Sequence, residues 1–308
     1  MYKVKSPVLF LVFNRPYETE QLFEAIRKAQ PPKLYIAADG PRENGKDEIS
    51  CYKVKNIVSN VDWECEVKTL YRDKNLGCKK AVSEGISWFY NNEEEGIVLE
   101  DDCLPSIDFF RFCDVMLDKY RDNDTVAHIC GCNFQDNILR GDGDYYYSNL
   151  THVWGWASWR SAWSRYDISM TDFEKFRKED SLKRITDNNN VKRHLYNALS
   201  LTHMGKINTW DYQYYYSNIK NNKISIIPNY NLITNIGFNE NGTHTFDGDS
   251  AVSNVKLQKL PQPIKNPSKI VVDRIADNYT LLKESPSRYA QNVNYLKGFV
   301  ESTLRFFS

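Results

Sequence analysis

Three consecutive carboxylate residues, Glu100-Asp101-Asp102, directly follow the short apolar run Ile97-Val98-Leu99. Such a run is typical of a strand that is buried on both faces. Carboxylates this close repel one another unless a cation lies among them. Hard oxygen ligands suit Mg²⁺ or Mn²⁺, above all when phosphate oxygens complete the coordination shell. A solvated acidic turn, with Asp102 or Ser106 capping the next helix, would explain the same residues, so the triplet alone leaves both interpretations open.

Alternating strand-like and helix-like segments must position this triplet. Apolar runs predict strands at residues 8–13, at 34–38 and around Ile97, and a further strand is predicted at 64–70. Helical spacing predicts helices at 18–29, 51–61 and 81–90. This βαβ order predicts an α/β fold with a mostly parallel, Rossmann-like sheet and helices on both faces. Ligands of such sheets bind beyond the carboxyl ends of the strands. Asn14-Arg15, Asp39 and the triplet follow three of these strands, so we expect them to converge on one edge.

The second half of the chain is less regular. Patterns there predict helices at 108–120 and 212–219, a helical segment 172–203 interrupted at 187–190, and strands at 125–131, 224–228 and 231–234. From about residue 250 the chain becomes rich in Pro and Lys, which predicts an extended arm before a last helix at 287–306. We therefore predict a domain at 1–249, with halves 1–137 and 138–249, and an extension at 250–308. The apolar stripe of the last helix must be covered by its own domain, a partner chain or a bilayer surface, and the sequence leaves these open.

Composition narrows the functional class. The 40 basic residues balance the 40 acidic residues, which argues against a nucleic-acid-binding protein. Aromatic residues reach 14%, and their rings suit sugars and bases but also fill cores. The seven Cys lack metal-site spacing and predict reduced thiols in a cytoplasmic protein. The apolar run at 8–13 stops at Asn14-Arg15-Pro16, too early for a signal core or a membrane span.

Several of these segments together resemble a known family. Residues 8–15, Ala37-Ala38-Asp39-Gly40 and residues 97–110 look like the GT-A fold nucleotide-sugar glycosyltransferases. The resemblance is strongest to the inverting N-acetylglucosaminyltransferase I type and its bacterial relatives in surface-polysaccharide clusters, and it covers about residues 7–246. In that family a strand ends in Glu-Asp-Asp, followed by a hydrophobic residue and Asp-Phe-Phe. Glu100-Asp101-Asp102-Cys103-Leu104 and Asp108-Phe109-Phe110 match that arrangement.

The resemblance implies roles for the residues at the strand ends. Asp102 would bind a divalent metal, Mn²⁺ or Mg²⁺, on the donor diphosphate. Asp101 would lie toward the ribose and Glu100 toward hydroxyls of the donor sugar. Arg15 would face the uridine or the diphosphate, and Asp39 would bind the uracil.

Two further segments are candidates for donor binding. Asn75-Leu76-Gly77 resembles the Asn-x-Gly turn that many such transferases place beside the nucleotide, although an ordinary loop explains it almost as well. His244 lies in a polar segment at 239–245, of the kind that closes over a donor and could bring His244 to the diphosphate or metal. A surface loop histidine is the alternative interpretation.

Asp211 is the candidate general base. The family places its base in a Trp-Asp context after a Gly-Trp segment, and Gly155-Trp156 and Trp210-Asp211 follow that order. A carboxylate among aromatic rings loses hydration, which suits a base that accepts the proton of an acceptor hydroxyl. A helix cap is the alternative role for this Asp. Trp154, Trp156 and Trp210 are predicted to bind the acceptor, and His152 could line the same pocket.

The resemblance thus implies a metal-dependent transfer from a UDP-sugar to an oligosaccharide or lipid-linked saccharide in bacterial capsule or lipopolysaccharide synthesis. It implies a cytoplasmic protein at the inner face of the membrane. One base implies single displacement with inversion, and the sequence leaves a retaining reaction open. A sugar-nucleotidyltransferase is an alternative, but Phe13-Asn14-Arg15-Pro16 lacks the glycines of its phosphate loop. A carbohydrate-binding protein is another, but the βαβ order opposes it, because lectins are more naturally all-β.

Overall fold

The computed structural model describes residues 2–43, 45–237 and 255–285. His244 and the predicted helix at 287–306 lie outside these residues. The strands are β1 Val8–Val12, β2 Lys33–Ala38, β3 Glu66–Tyr71, β4 Glu95–Glu100, β5 Cys103–Pro105, β6 Val126–Cys130, β7 Tyr145–Ser148, β8 Trp156–Trp159, β9 Ile224–Pro228 and β10 Ile233–Asn235. The helices are α1 Pro16–Ala29, α2 Glu48–Val58, α3 Cys78–Asn92, α4 Ile107–Tyr120, α5 Arg160–Trp163, α6 Phe173–Lys178, α7 Asn189–His203, α8 Asp211–Lys220 and α9 Arg274–Glu284.

An eight-stranded sheet in the order β3-β2-β1-β4-β8-β6-β9-β7 organises the fold. Strands β3, β2, β1 and β4 are parallel neighbours, and β6 is parallel to β9. Strand β8 runs antiparallel to both β4 and β6, and β7 runs antiparallel to β9. The predicted α/β class with a mostly parallel sheet is confirmed.

The alternation of side chains along β1 explains why helices cover both faces. Val8, Phe10 and Val12 join a core cluster with residues of α1, α2 and α4. Leu9 and Leu11 point to the other face and pack in a second cluster with residues of α3. Because every residue of β1 is buried, the strand reads as a continuous apolar run rather than an alternating one.

The second half differs from the sequence prediction in several elements. Strands β5, β7 and β8 and helix α9 were not predicted. The charged segment 172–203 divides into α6, a 3₁₀ turn at Ser181–Arg184 and α7, and the predicted interruption at 187–190 is confirmed. The interruption is a helix start, because the Asn188 side chain accepts hydrogen bonds from the backbone N–H groups of Asn190 and Val191. Among the helices of the described residues, none has the length and apolar character needed to cross a membrane.

Candidate active site

The loops after β1 and β4 meet at the carboxyl edge of the sheet. Nη1 of Arg15 donates hydrogen bonds to Oδ2 of Asp102 at 2.7 Å and to Oδ1 of Asp101 at 3.3 Å. The backbone N–H of Phe13 donates to Oδ2 of Asp101 at 3.2 Å. Parallel neighbouring strands deliver these groups to one place because β1 and β4 end at the same edge. The structure therefore brings Arg15 and the acidic triplet together.

Negative charge exceeds positive charge around Arg15. Glu100 is half-buried, and within the described residues its side chain accepts no hydrogen bond. Burial raises the pKa of Glu100 well above its usual range, and Asp102, Asp211 and Asp101 raise it further. Burial also raises the pKa of Asp101, while the Arg15 guanidinium opposes that shift. The negative charges of these carboxylates repel one another, and a cation bound among them would reduce that repulsion.

The Asp102 carboxylate is partly exposed, at 19% of its side-chain surface. Its Oδ1 accepts a hydrogen bond from the thiol of Cys103 at 3.3 Å, in addition to the Arg15 contact at Oδ2. Helix α4 is capped by the Ser106 hydroxyl, which accepts from the N–H of Phe109, so Asp102 is not needed as the cap. Residues 2–43, 45–237 and 255–285 contain no group of three or more His, Cys, Asp or Glu arranged to hold a metal. A hard divalent cation still fits Asp102 if phosphate and water oxygens supply its remaining ligands.

Gly237 is a residue of this site that the sequence reasoning missed. Strand β10 pairs antiparallel with β5, and the N–H of Ile236 donates to the backbone oxygen of Asp102 at 2.8 Å. A Cβ on Gly237 would lie 2.5 Å from Oδ2 of Asp102. Gly237, two residues before the predicted loop at 239–245, therefore lies next to the Asp102 carboxylate. A glycine in a polar segment gives no sequence signal of such a close approach.

Asp39 and Asn75 form one hydrogen-bonded unit. The Asp39 carboxylate accepts from the N–H groups of Gly40 at 2.9 Å, Leu76 at 3.0 Å and Gly77 at 3.2 Å, and from Nδ2 of Asn75 at 2.9 Å. Burial raises the pKa of Asp39, and these N–H groups oppose the shift. The Asp39 carboxylate therefore positions the 75–77 loop, and its contact with uracil stays a prediction.

Cys78, which the sequence reasoning also missed, links this loop to the acidic triplet. It is the first residue of α3, directly after the 75–77 loop. Burial raises the pKa of its thiol to about 12, and the nearby carboxylates of Glu100, Asp211 and Asp102 contribute. The loop, the triplet and Asp211 therefore border one region.

Asp211 begins α8, and one of its oxygens has a structural role. Its Oδ1 accepts from the N–H of Tyr212 at 2.8 Å and from the hydroxyl of Thr209. No hydrogen bond within the described part of the chain reaches its Oδ2. The side chain is half-buried and close enough to Glu100 to raise the pKa of that residue. Both the helix-end role and the position expected of a base are compatible with this geometry.

Two of the three tryptophans predicted to bind the acceptor are core residues. Trp156 is 0% exposed and Trp210 is 2% exposed, and their rings stack with centroids 6.0 Å apart. Trp156 is buried because β8 lies inside the sheet, between β4 and β6. This burial contradicts acceptor contact by either ring. Trp154 is only half-buried and keeps accessible surface.

The comparisons with known proteins return structural similarities only. No family model and no curated protein matches the chain. Among solved structures, the mannosyltransferase PcManGT from Pyrobaculum calidifontis in complex with GDP-Man and Mn²⁺ aligns with a TM-score of 0.40 and 10% identity, over 71% of this chain and 70% of that chain. A UDP-glucose pyrophosphorylase complexed with UDP-glucose aligns with a TM-score of 0.34 and 12% identity, over 54% and 79%. These similarities carry no argument about activity, and the fold assignment rests on the strand order.

Proposed function

We propose that this protein is a glycosyltransferase that uses a divalent metal and a UDP-sugar donor. The observation that supports the proposal is the crowding of Glu100, Asp101 and Asp102 around Arg15 at the carboxyl edge of the sheet, with Asp211 close by. A diphosphate with its metal would complete the charge balance of this region. The 75–77 loop, ordered by Asp39, forms the neighbouring wall, where the nucleotide would lie.

Each side chain has a distinct part in the proposed reaction. Asp102 would hold Mn²⁺ or Mg²⁺, which when bound neutralises the diphosphate as it leaves. Arg15 would orient the diphosphate and balance the charge of Asp101, which would lie toward the ribose. Glu100 would accept hydrogen bonds from hydroxyls of the donor sugar. Asp211 would take the proton of the acceptor hydroxyl. The oxygen of that hydroxyl would then bond to the anomeric carbon of the donor as the bond between this carbon and the diphosphate breaks, so the configuration at the anomeric carbon inverts.

The proposal extends to the biological setting. The acceptor would be an oligosaccharide or a lipid-linked saccharide of a bacterial capsule or lipopolysaccharide, and the protein would work in the cytoplasm at the inner face of the membrane. His244 remains a predicted donor-binding residue. Only the family resemblance supports these assignments.

The alternative of a sugar-nucleotidyltransferase is less consistent with the first strand. Strand β1 ends at Val12 and α1 begins at Pro16, so the connection is the short segment Phe13-Asn14-Arg15. The segment contains no glycine and contributes a guanidinium to the acidic triplet. A loop that wraps a triphosphate needs close approach of backbone N–H groups, which glycines permit.

Calorimetry with UDP in the presence and absence of Mn²⁺ tests the proposal. We expect UDP binding to require Mn²⁺ and to weaken at least about tenfold in Asp102→Ala. Losing a side chain that binds the metal directly should cost at least as much as losing one that only hydrogen-bonds to a metal ligand. Asp118→Ala, which removes an exposed carboxylate of α4, is the control and should bind like the wild type. Unchanged UDP–Mn²⁺ affinity in Asp102→Ala would contradict the metal assignment. Binding of UTP but not UDP would favour the nucleotidyltransferase.

A further inference from the structure

Helix α9 is anchored to the catalytic sheet through buried polar contacts. Asp277 is buried and accepts hydrogen bonds from the hydroxyl of Ser148 at 2.5 Å and from the backbone N–H and Nδ2 of Asn149, both at 3.0 Å. Nε2 of Gln135 donates to the hydroxyl of Thr280 at 2.6 Å. These contacts fix the position of a helix that belongs to the predicted C-terminal extension.

One face of α9 is turned toward the domain and ends in a carboxylate. Asp277, Thr280, Leu281 and Glu284 have the i, i+3, i+4, i+7 spacing of a single helix face. The first three are buried, whereas the side chain of Glu284 is 36% exposed. Protein atoms still surround Glu284 closely enough to raise its pKa, while His152 and Lys283 oppose that shift. Glu284 thus lies at the end of the buried face of α9 with part of its side chain accessible.

Glu284 is an unfavourable residue for the stability of α9. It is the last residue of the helix, where the helix dipole favours a cation and opposes a carboxylate. Its only ion-pair partner in the described part of the chain is His152, whose Nδ1 lies 4.0 Å from Oε1, beyond hydrogen-bonding distance. The carboxylate therefore adds little to folding, and both of its oxygens can accept hydrogen bonds from a ligand.

Aromatic rings line the surface next to Glu284. His152 and Trp154 are two residues apart on the segment that enters β8, and both rings contact Phe134 edge-on, with centroid distances of 4.9 Å and 5.3 Å. Tyr212 packs against the same cluster as Leu281 of α9 and directly follows Asp211. Burial raises the pKa of Tyr212 to about 12, and the carboxylates of Asp211 and Glu284 both contribute. Tyr212 thus connects the cluster that packs on α9 with the candidate base.

We propose that α9 supplies Glu284 as a specificity-determining residue that binds hydroxyls of the saccharide acceptor, together with His152 and the ring of Trp154. A carboxylate accepts two hydrogen bonds from neighbouring sugar hydroxyls, and an indole packs against the apolar face of a pyranose. The inference rests on the proposed function, because the acceptor must lie beside Asp211. Glu284 takes no part in bond formation.

Saturation-transfer NMR on the full chain, with UDP and Mn²⁺ present, tests this site. The probes are methyl glycosides of glucose, galactose, mannose and N-acetylglucosamine. We expect at least one to bind the wild type and Glu284→Gln to weaken that binding at least about tenfold, the loss expected for a hydrogen bond to a charged group. Trp154→Ala should weaken it about threefold to tenfold, the loss expected for a stacked ring. Glu179→Gln, which alters an exposed carboxylate after α6, is the matched control.

The outcomes separate this inference from the proposed function. If no glycoside binds the wild type, or if Glu284→Gln binds like the wild type, the role of Glu284 is refuted. If Glu284→Gln lowers the melting temperature by more than a few degrees, Glu284→Asp, which keeps the charge but shortens the side chain, takes its place in this comparison. If glycoside binding depends on Glu284 but UDP–Mn²⁺ does not bind the wild type, the saccharide site stands and the proposed transferase reaction does not.

Discussion

Replacing Arg15 with Met should destabilise the protein by removing the counter-charge of the acidic triplet. The side chain of Arg15 is 14% exposed, and those of its partners Asp101 and Asp102 are 10% and 19% exposed. Removing one partner of a buried ion pair costs about 3–5 kcal/mol, because it leaves an uncompensated buried charge. The partial exposure of Asp102 places the expected loss near the lower end, at about 3 kcal/mol.

This loss should grow with pH. Burial already raises the folded-state pKa of Asp101, and Arg15 limits that rise, so the variant should have a still higher value. A carboxyl group with a raised folded pKa contributes stability that is full below its unfolded pKa and is lost as pH rises through the folded pKa. The variant and the wild type should therefore differ less at about pH 5 than at about pH 8.

Thermal unfolding of the metal-free protein measures the effect. A loss of about 3 kcal/mol corresponds to a melting temperature roughly 6 °C lower at pH 8. Arg27→Met is the control, since Arg27 pairs with the more exposed carboxylates of Glu24 and Asp62 and should cost at most about 1 kcal/mol at any pH. A melting temperature of Arg15→Met equal to that of the control, or a difference that does not change with pH, would refute the charge-balance argument.

Three other substitutions test separate parts of the site. Asp211→Asn should keep UDP–Mn²⁺ binding but reduce sugar transfer by roughly 10² or more, and near-normal transfer would show that Asp211 is only a helix-end residue. Gly237→Ala should displace the Asp102 carboxylate, which a Cβ would approach to 2.5 Å, and weaken UDP–Mn²⁺ binding about 10-fold or more by calorimetry; unchanged affinity would contradict the close approach. Asp39→Asn should lower stability by about 2 kcal/mol and accelerate amide exchange in the 75–77 loop, because an amide replaces one acceptor oxygen with a donor. Unaltered exchange there would show that another group orders the loop.

The sequence alone determined the elements whose signals are local. The apolar runs that became β1, β2 and β4 predict buried parallel strands, and polar residues at their ends predict one shared edge. The contact of Arg15 with Asp102 follows from that topology, since neighbouring parallel strands end together. The sequence also predicts the break before α7, because the side chain of an Asn cap bonds to backbone N–H groups within the next three residues.

Only the tertiary structure decided which aromatic and polar side chains have access to a ligand. Trp154 and Trp156 are alike in sequence, yet β8 lies between two strands and buries Trp156. The sequence predicts Asp39 as a carboxylate at the end of a strand, but the loop that donates hydrogen bonds to it is more than thirty residues away in the chain. The position of Glu284 depends on Asp277 and Ser148, which are 129 residues apart. Burial and hydrogen-bond partners of this kind depend on segments distant in the chain, and no local pattern encodes them.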